Sequence, residues 1–131
     1  MAYYDQIVWL PNATSKRNVR FGASVGLADQ GPSFARWQYS GQIVATGLFD
    51  SRPTDRIGIG GYYVGATNHV KDLSREFELI PDLGDYYGFE LFYTYDVTPA
   101  VHLTGDLQIT DNFVKDIDTA VIPGVRLVIE F

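Results

Sequence analysis

Residues 101–110 alternate without a break: Val101, Leu103, Gly105, Leu107 and Ile109 fall on one side, and His102, Thr104, Asp106, Gln108 and Thr110 on the other. A period of two marks an extended strand with one apolar and one polar face. The neighbouring stretches carry the same pattern. Tyr87, Phe89, Leu91, Tyr93, Tyr95 and Val97 continue the apolar side before it, and after it Val125, Leu127, Ile129 and Phe131 oppose Gly124, Arg126, Val128 and Glu130. Three consecutive strands therefore turn a wide greasy band the same way, and either a second sheet or lipid must cover it. Strands of about 9–11 residues, apolar outward and polar inward with aromatics toward their ends, cross a bilayer with every backbone group paired.

The N-terminal half extends the pattern. Residues 3–10 read as a first strand whose facing is open, because Tyr4, Val8 and Leu10 on one register, or Ile7 and Trp9 on the other, suit the outward side. Pro11-Asn12 and the polar residues to Arg17 make a turn. Val19, Phe21, Ala23, Val25 and Leu27 then alternate with Arg20, Gly22, Ser24, Gly26 and Ala28. After a loop at 29–33, Ala35, Trp37, Tyr39, Gly41, Ile43 and Ala45 alternate with Arg36, Gln38, Ser40, Gln42, Val44 and Thr46. A turn at 50–55 leads to a fourth strand with Ile57, Ile59, Gly61, Tyr63 and Gly65 outward and Arg56, Gly58, Gly60, Tyr62 and Val64 inward.

Residues 68–85 are the one long connection, with 75–80 open between a short strand and a helical turn. Barrels of the outer membrane keep short turns on the periplasmic side and longer loops outside. Counted back from a periplasmic C-terminus, the connections at 12–17, 49–54 and 98–99 fall on the periplasmic side. Those at 29–34, 68–85 and 111–118 fall outside. Seven strands leave two unpaired edges, which lipid does not tolerate. The remaining strands are thus expected from a missing N-terminal part, another chain or self-association.

Length and composition narrow the function classes. A chain of 131 residues has room for one domain, so 1–131 is read as a single β-barrel segment. It is 46% apolar and holds 9 Tyr, 8 Phe and 13 Gly, yet its mean hydropathy is −0.05, as expected when outward apolar and inward polar residues cancel. No stretch approaches the 18 or so apolar residues of a membrane helix. Cysteine is absent, which removes thiolate chemistry and Cys-based metal sites. The net charge is −6 with scattered basic residues, so nucleic acid is not an expected partner. Met1-Ala2-Tyr3-Tyr4-Asp5 does not open a signal peptide, and the chain is expected to be a mature segment or a piece of something longer.

Catalysis and cofactors find little support. His102 and Asp106 are four residues apart on a strand, about 13 Å along it, which is neither a dyad nor a metal clamp. A triad through Ser24 or Ser40 would need an accident of strand register. Gly58-Ile59-Gly60-Gly61 lacks the Lys-Ser/Thr of a phosphate loop and reads as thin-walled strand. Asp111, Asp116 and Asp118 read as a solvated acidic loop ahead of a cation site. Asn12-Ala13-Thr14 fits a glycosylation acceptor by letter only. No enzyme activity, cofactor or metal is expected.

Six blocks in order resemble the C-terminal portion of the carbohydrate-selective porins of the OprB family. These are DQIVW, VRFGASVGLAD, WQYSGQIVATGLF, SRPTDRIGIGGYY, ELFYTYDVTPAVHLTGDLQIT and VIPGVRLVIEF. The chain departs from the family pattern at Ala100, where Trp is usual, and at Asp111-Asn112-Phe113, where Asn-Pro is usual. The terminal Phe131, in phase with the outward face, is also similar to the C-terminal recognition signal of outer-membrane proteins.

The resemblance implies an antiparallel transmembrane β-barrel of about 16 strands in a Gram-negative outer membrane, of which this chain supplies about seven. Such a pore passes monosaccharides and small oligosaccharides by diffusion, with outer-membrane lipid around it. A sugar path offers hydroxyls successive weak hydrogen-bond partners, and Arg suits it because its donor fork bridges two of them.

The alternation turns Arg20, Arg36, Gln38, Gln42, Arg56, Tyr62, Glu90, Asp96, His102, Asp106, Gln108, Arg126 and Glu130 inward. At mid-height Gln38, Gln42, Glu90, Asp106, Gln108 and Arg126 are the expected path, with Arg36 and Tyr62 nearer the outer mouth. Glu130, Asp96, Arg56 and His102, near the periplasmic ends, are expected to be structural. Trp37, Tyr39, Tyr63, Tyr87, Tyr93, Tyr95 and Phe131 face outward and fit the aromatic girdle. Two other readings stay open: a small closed barrel binding an apolar ligand, with its apolar face inside, and an outer-membrane barrel that serves adhesion or anchoring.

Overall fold

A computed structural model describes residues 1–12, 15–28, 34–68, 71–72, 83–112, 114 and 117–131. Seven strands, β1 (Ala2–Trp9), β2 (Asn18–Leu27), β3 (Ala35–Thr46), β4 (Arg56–Ala66), β5 (Tyr86–Thr98), β6 (Val101–Thr110) and β7 (Ala120–Ile129), pair antiparallel with their sequence neighbours. They form one sheet in the order β1 to β7, so β1 and β7 are its edges. The first six strands start and stop within about two residues of the alternation that predicts them, and β7 begins four residues ahead of its alternation, at Ala120. The sequence questions at residues 75–80, at Asp116 of the acidic loop and at Ala13-Thr14 lie outside the described residues.

Registered partners share a face of the sheet, and the rows sort cleanly by polarity. Phe21, Ile43, Ile59 and Leu91 are successive partners across β2 to β5, and Leu91 pairs onward with Leu107. One residue along each strand, the row runs Asp5, Gly22, Gln42, Gly60, Glu90, Gln108 and Ile122. Among the described residues only Val64 and Ala66 are buried apolar side chains, whereas Leu103, Leu107 and Ile129 are 41–53% exposed. A sealed greasy centre is therefore not what these strands build. The closed-barrel alternative loses its footing with it.

The facing of β1 is decided by a bulge. Its register shifts between Ile7 and Trp9, where an extra residue reverses the phase. Before the bulge Tyr4 sits opposite Ala23 on the apolar face, and its ring meets that of Phe21 with centroids 6.2 Å apart; beyond it Trp9 sits opposite Val19 on the same face. Neither strict alternation fits the whole strand, because each holds for one part.

Two bands of aromatic rings bound the apolar face. Tyr39, Tyr63 and Tyr87 form one row, with Trp37 stacked on Tyr63 at 4.9 Å and 9° between planes. Tyr93 and Tyr95 lie toward the other end of β5. The eight residue-to-residue steps from Tyr87 to Tyr95 span about 27 Å of strand, or about 21 Å of height at a barrel strand's usual tilt, close to the apolar belt of an outer-membrane barrel.

The two ends of the sheet are built differently. At the end with short connections, Gly47 terminates β3 in the left-handed region (φ 65°), its N–H donating to the Asp55 carbonyl at 2.8 Å. Arg17 pairs with Asp50 at 2.6 Å and so ties the β1–β2 connection to the β3–β4 turn. Arg52 donates both to Asp55 (2.8 and 2.9 Å) and to the Asp96 carbonyl (2.9 Å), and its guanidinium lies 3.7 Å over the Tyr95 ring. At the other end Asp85 accepts from the Ala66 N–H (2.9 Å) and Tyr63 hydroxyl (2.9 Å) and pairs with Lys71 at 2.7 Å, which holds the long connection to β4.

Candidate functional site

The polar face of the sheet is a hollowed surface, and one of its hollows is a trough of about 310 Å³. Glycine makes it. Gly22, Gly60 and Gly88 contribute backbone alone to the floor, while Tyr3, Gln42, Tyr62, Glu90 and Gln108 stand around it. With neighbouring strands about 4.8 Å apart, Gln42 and Glu90 rise on either side of Gly60 with roughly 9–10 Å between their backbones.

Side chains on this face lie down onto the glycines of adjacent strands. A methyl group at Gly22 would meet Gln42 at 3.2 Å, one at Gly26 would meet Gln38 at 3.0 Å, and one at Gly124 would meet Asp106 at 2.5 Å. Likewise Tyr62 covers Gly88, and Phe92 covers Gly58. This is the cross-strand covering of glycine by a neighbouring large side chain that lets a sheet curve without holes. The floor is thin where no side chain lies down, as at Gly60, whose nearest neighbours are at 3.4 Å.

Of the eight residues expected along the path, the trough gathers Gln42, Tyr62, Glu90 and Gln108. Gln38 lines an adjoining hollow with Ser40, Tyr62 and Tyr86. Asp106 lies one row away, opposite Phe92 and Gly124, and Gln108 approaches it at 3.4 Å. Arg126 stands opposite Thr104 and shares a lower hollow of about 370 Å³ with Arg56, His102, Glu130 and Glu90. Expected at mid-height, it falls in the register row of Arg56, Thr94 and Thr104. Arg36 falls at the β3 irregularity between Ala35 and Trp37, away from the trough, beside Gly26, Leu27 and Gln38.

Glu90 borders both hollows, and among the described residues it makes no ion pair, so its carboxylate is free to accept. Other polar residues on this face are committed to one another. Asp5 and Arg20 approach at 3.5 Å, Tyr3 donates to Asp5 at 2.7 Å, and the hydroxyls of Ser24 and Ser40 are 2.9 Å apart. Near the short turns His102 Nδ1 lies 2.6 Å from Asp96, and Thr94 and Thr104 pair at 2.9 Å. No group of three possible metal ligands occurs among the described residues.

Sequence reasoning missed four residues here. Tyr3 and Asp5 escaped because the facing of β1 was open, and the bulge that settles it has no signature in YYDQIVWL. Phe92 and Tyr86 escaped because, Tyr62 apart, only polar residues were counted on the inward side. Their even spacing with Glu90, Thr94 and Asp96 was the available signal.

The buried Asp55 anchors the short-turn end. Hydrogen bonding from Arg52 outweighs the cost of burial, and the Tyr93 hydroxyl and Asp96 N–H add to it; its carboxyl is held down at about 2. Arg52 is correspondingly raised by the same pairing. At Asp85 burial acts to raise the carboxyl, but Lys71, Tyr63 and the Ala66 N–H overcome it and the net shift is downward.

A family model described as carbohydrate-selective porin, OprB family, matches residues 1–131. A solved structure of Pseudomonas putida OprB at high pH matches with a TM-score of 0.89 at 22% identity, covering 98% of this chain and 34% of that one. The chain thus spans about a third of the length of that relative. A search of the curated proteins gave no match.

Proposed function

This chain belongs to the carbohydrate-selective porin family OprB, and from that premise we propose that it is the sugar-lining part of an outer-membrane diffusion pore. Residues 1–131 act as one segment of barrel wall, with the apolar face against outer-membrane lipid and the polar face toward water. The remaining strands come from outside this segment. Coverage of only 34% of the matched porin favours a longer chain over self-association as their source. The activity is passive passage of monosaccharides and small oligosaccharides rather than catalysis.

The observation that carries this reading is the glycine-floored trough with Gln42, Glu90 and Gln108 around it. Amides offer both donor and acceptor, and the unpaired Glu90 carboxylate accepts from adjacent hydroxyls. Each such bond contributes little net free energy, about 1 kcal/mol, because water competes for the same partners. Weak successive partners are what conduction requires, since a sugar must leave as readily as it enters. Gln38 above and Arg126 below extend the line of partners, Asp106 stands beside it, and Arg36 serves the outer approach.

The test is reconstitution of the complete barrel that contains these strands. Liposomes holding it should swell in isotonic hexose, and a hexose should reduce its ion current in a planar bilayer. A current indifferent to every hexose tried, in a pore that conducts ions, would assign the barrel to anchoring or adhesion instead.

A further inference from the structure

We propose that Tyr62 is a stacking platform in the pore wall, selecting pyranoses with equatorial hydroxyls; the inference rests on the sugar-pore reading and names which sugars the trough prefers. The ring is laid flat by its neighbour. A methyl group on Gly88 would come within 2.7–2.8 Å of three atoms of the Tyr62 ring and hydroxyl, so the ring covers the bare backbone of β5. Its hydroxyl reaches across β5 to β6 and lies 3.4 Å from Thr110 Oγ1. A ring stretched over one strand toward the next lies along the wall. Tyr86 makes a T-shaped contact with it, with centroids 6.1 Å apart and planes at 74°, and so does not stack flat over the ring. Tyr62 is 43% exposed, as a ring covered on one face and open on the other should be.

An aromatic face held open to water among polar groups has a specific use. A pyranose whose hydroxyls are all equatorial presents a flat face of C–H bonds and a rim of hydroxyls. The C–H face loses water against the ring, as apolar area does generally, while the rim needs polar partners in the plane of the sugar. Those partners are present. Glu90 follows Gly88 by two residues and Gln108 precedes Thr110 by two, and because the strands are antiparallel both lie to the same side, about 7 Å along the strands from the positions that Tyr62 spans. An axial hydroxyl on the stacking face lifts the sugar off the ring. A linear polyol has no such face.

The experiment is sugar block of ion current through the complete barrel in a planar bilayer, with D-glucose and mannitol as the probes. Open-pore conductance reports that each variant has assembled. In the wild type, glucose should block at lower concentration than mannitol. Tyr62→Ala should reduce that glucose-over-mannitol ratio about three- to tenfold, the scale of one aromatic contact. Tyr62→Phe should restore it, and Gly88→Ala, which keeps the ring but forces it off the wall, should reduce it as well. A ratio unmoved by Tyr62→Ala in a pore that glucose still blocks would overturn the platform and leave the sugar-pore reading standing. So would an equal loss in Tyr62→Phe. A wild-type pore blind to both probes would remove the sugar-pore reading itself, and the platform with it.

Discussion

The phenolic hydrogen of Tyr93, on the apolar face of β5, is donated at 2.6 Å to the carboxylate of Asp55, 38 residues earlier in the chain. The same carboxylate takes two bonds from Arg52 and one from the Asp96 N–H, and its side chain is only 2% exposed. One carboxylate thus joins the β3–β4 turn to the end of β5. Asp55→Leu leaves several donors facing no acceptor, and unfolding of the barrel in lipid vesicles by urea should show a loss of about 2–4 kcal/mol. Asp55→Asn, which keeps one acceptor, should lose less.

Acid should release the same anchor. The Asp55 carboxyl is held at about 2 in the folded protein against an ordinary 3.8. A depressed value means the unfolded chain takes up the proton first, so the stabilisation is complete above pH 4 and fades as pH falls from about 4 toward 2. Denaturation midpoints compared at pH 5 and pH 2.5 should drop in the wild type. The drop should be smaller in Asp55→Asn, and an equal drop in both would put the acid sensitivity elsewhere.

Leu107 and Gln108 are adjacent in β6 but face opposite ways, paired with Leu91 and Glu90 respectively. Leu107→Arg sets a charge in the lipid belt and should cost about 2–4 kcal/mol in vesicle unfolding. Gln108→Arg puts its charge beside Glu90 in the trough, so it should shift the pore away from cations, read as a change in reversal potential under a salt gradient. Its stability should fall by less than that of Leu107→Arg. Equal losses would contradict the facing of the sheet.

Gly58 is the place where a single methyl should narrow the channel. A Cβ there would stand 2.5 Å from two atoms of the Phe92 ring, which must swing off the wall. Gly58→Ala should lower single-channel conductance with a stability cost of about 1–3 kcal/mol. Gly105→Ala is the control: nothing lies within 4 Å of a methyl at that position, and it faces lipid.

Most of the strand pattern could be read from the letters, because a strand that separates lipid from water has to write its facing into every second residue. Val101 to Thr110 does so without exception. The first strand did not, since the bulge near Val8 depends on how it pairs with Val19 and Arg20 of the next strand, which its own letters do not record. The path residues were half legible for a related reason. Alternation put Gln42 and Glu90 on the right face, but which of them share a hollow depends on how far each strand slides past its neighbour. Arg126, for one, shares its register row with Arg56. The Asp55 anchor was hidden altogether, because Arg52 and Asp55 read simply as turn residues until Tyr93 and Asp96 are beside them.

Among the described residues only Val64 and Ala66 are buried apolar side chains, and most of the sheet's other apolar side chains are open to their surroundings. Such a wall asks each position for a class of residue and seldom for a particular shape. Leucine can give way to valine or phenylalanine against fluid acyl chains with no neighbour to collide with, so mutations there fix independently and lineages can diverge widely without losing the scaffold. The exceptions are the glycines beneath Tyr62, Phe92 and Gln42, where an unchanged residue in a distant homologue would be a footprint of the conduit itself.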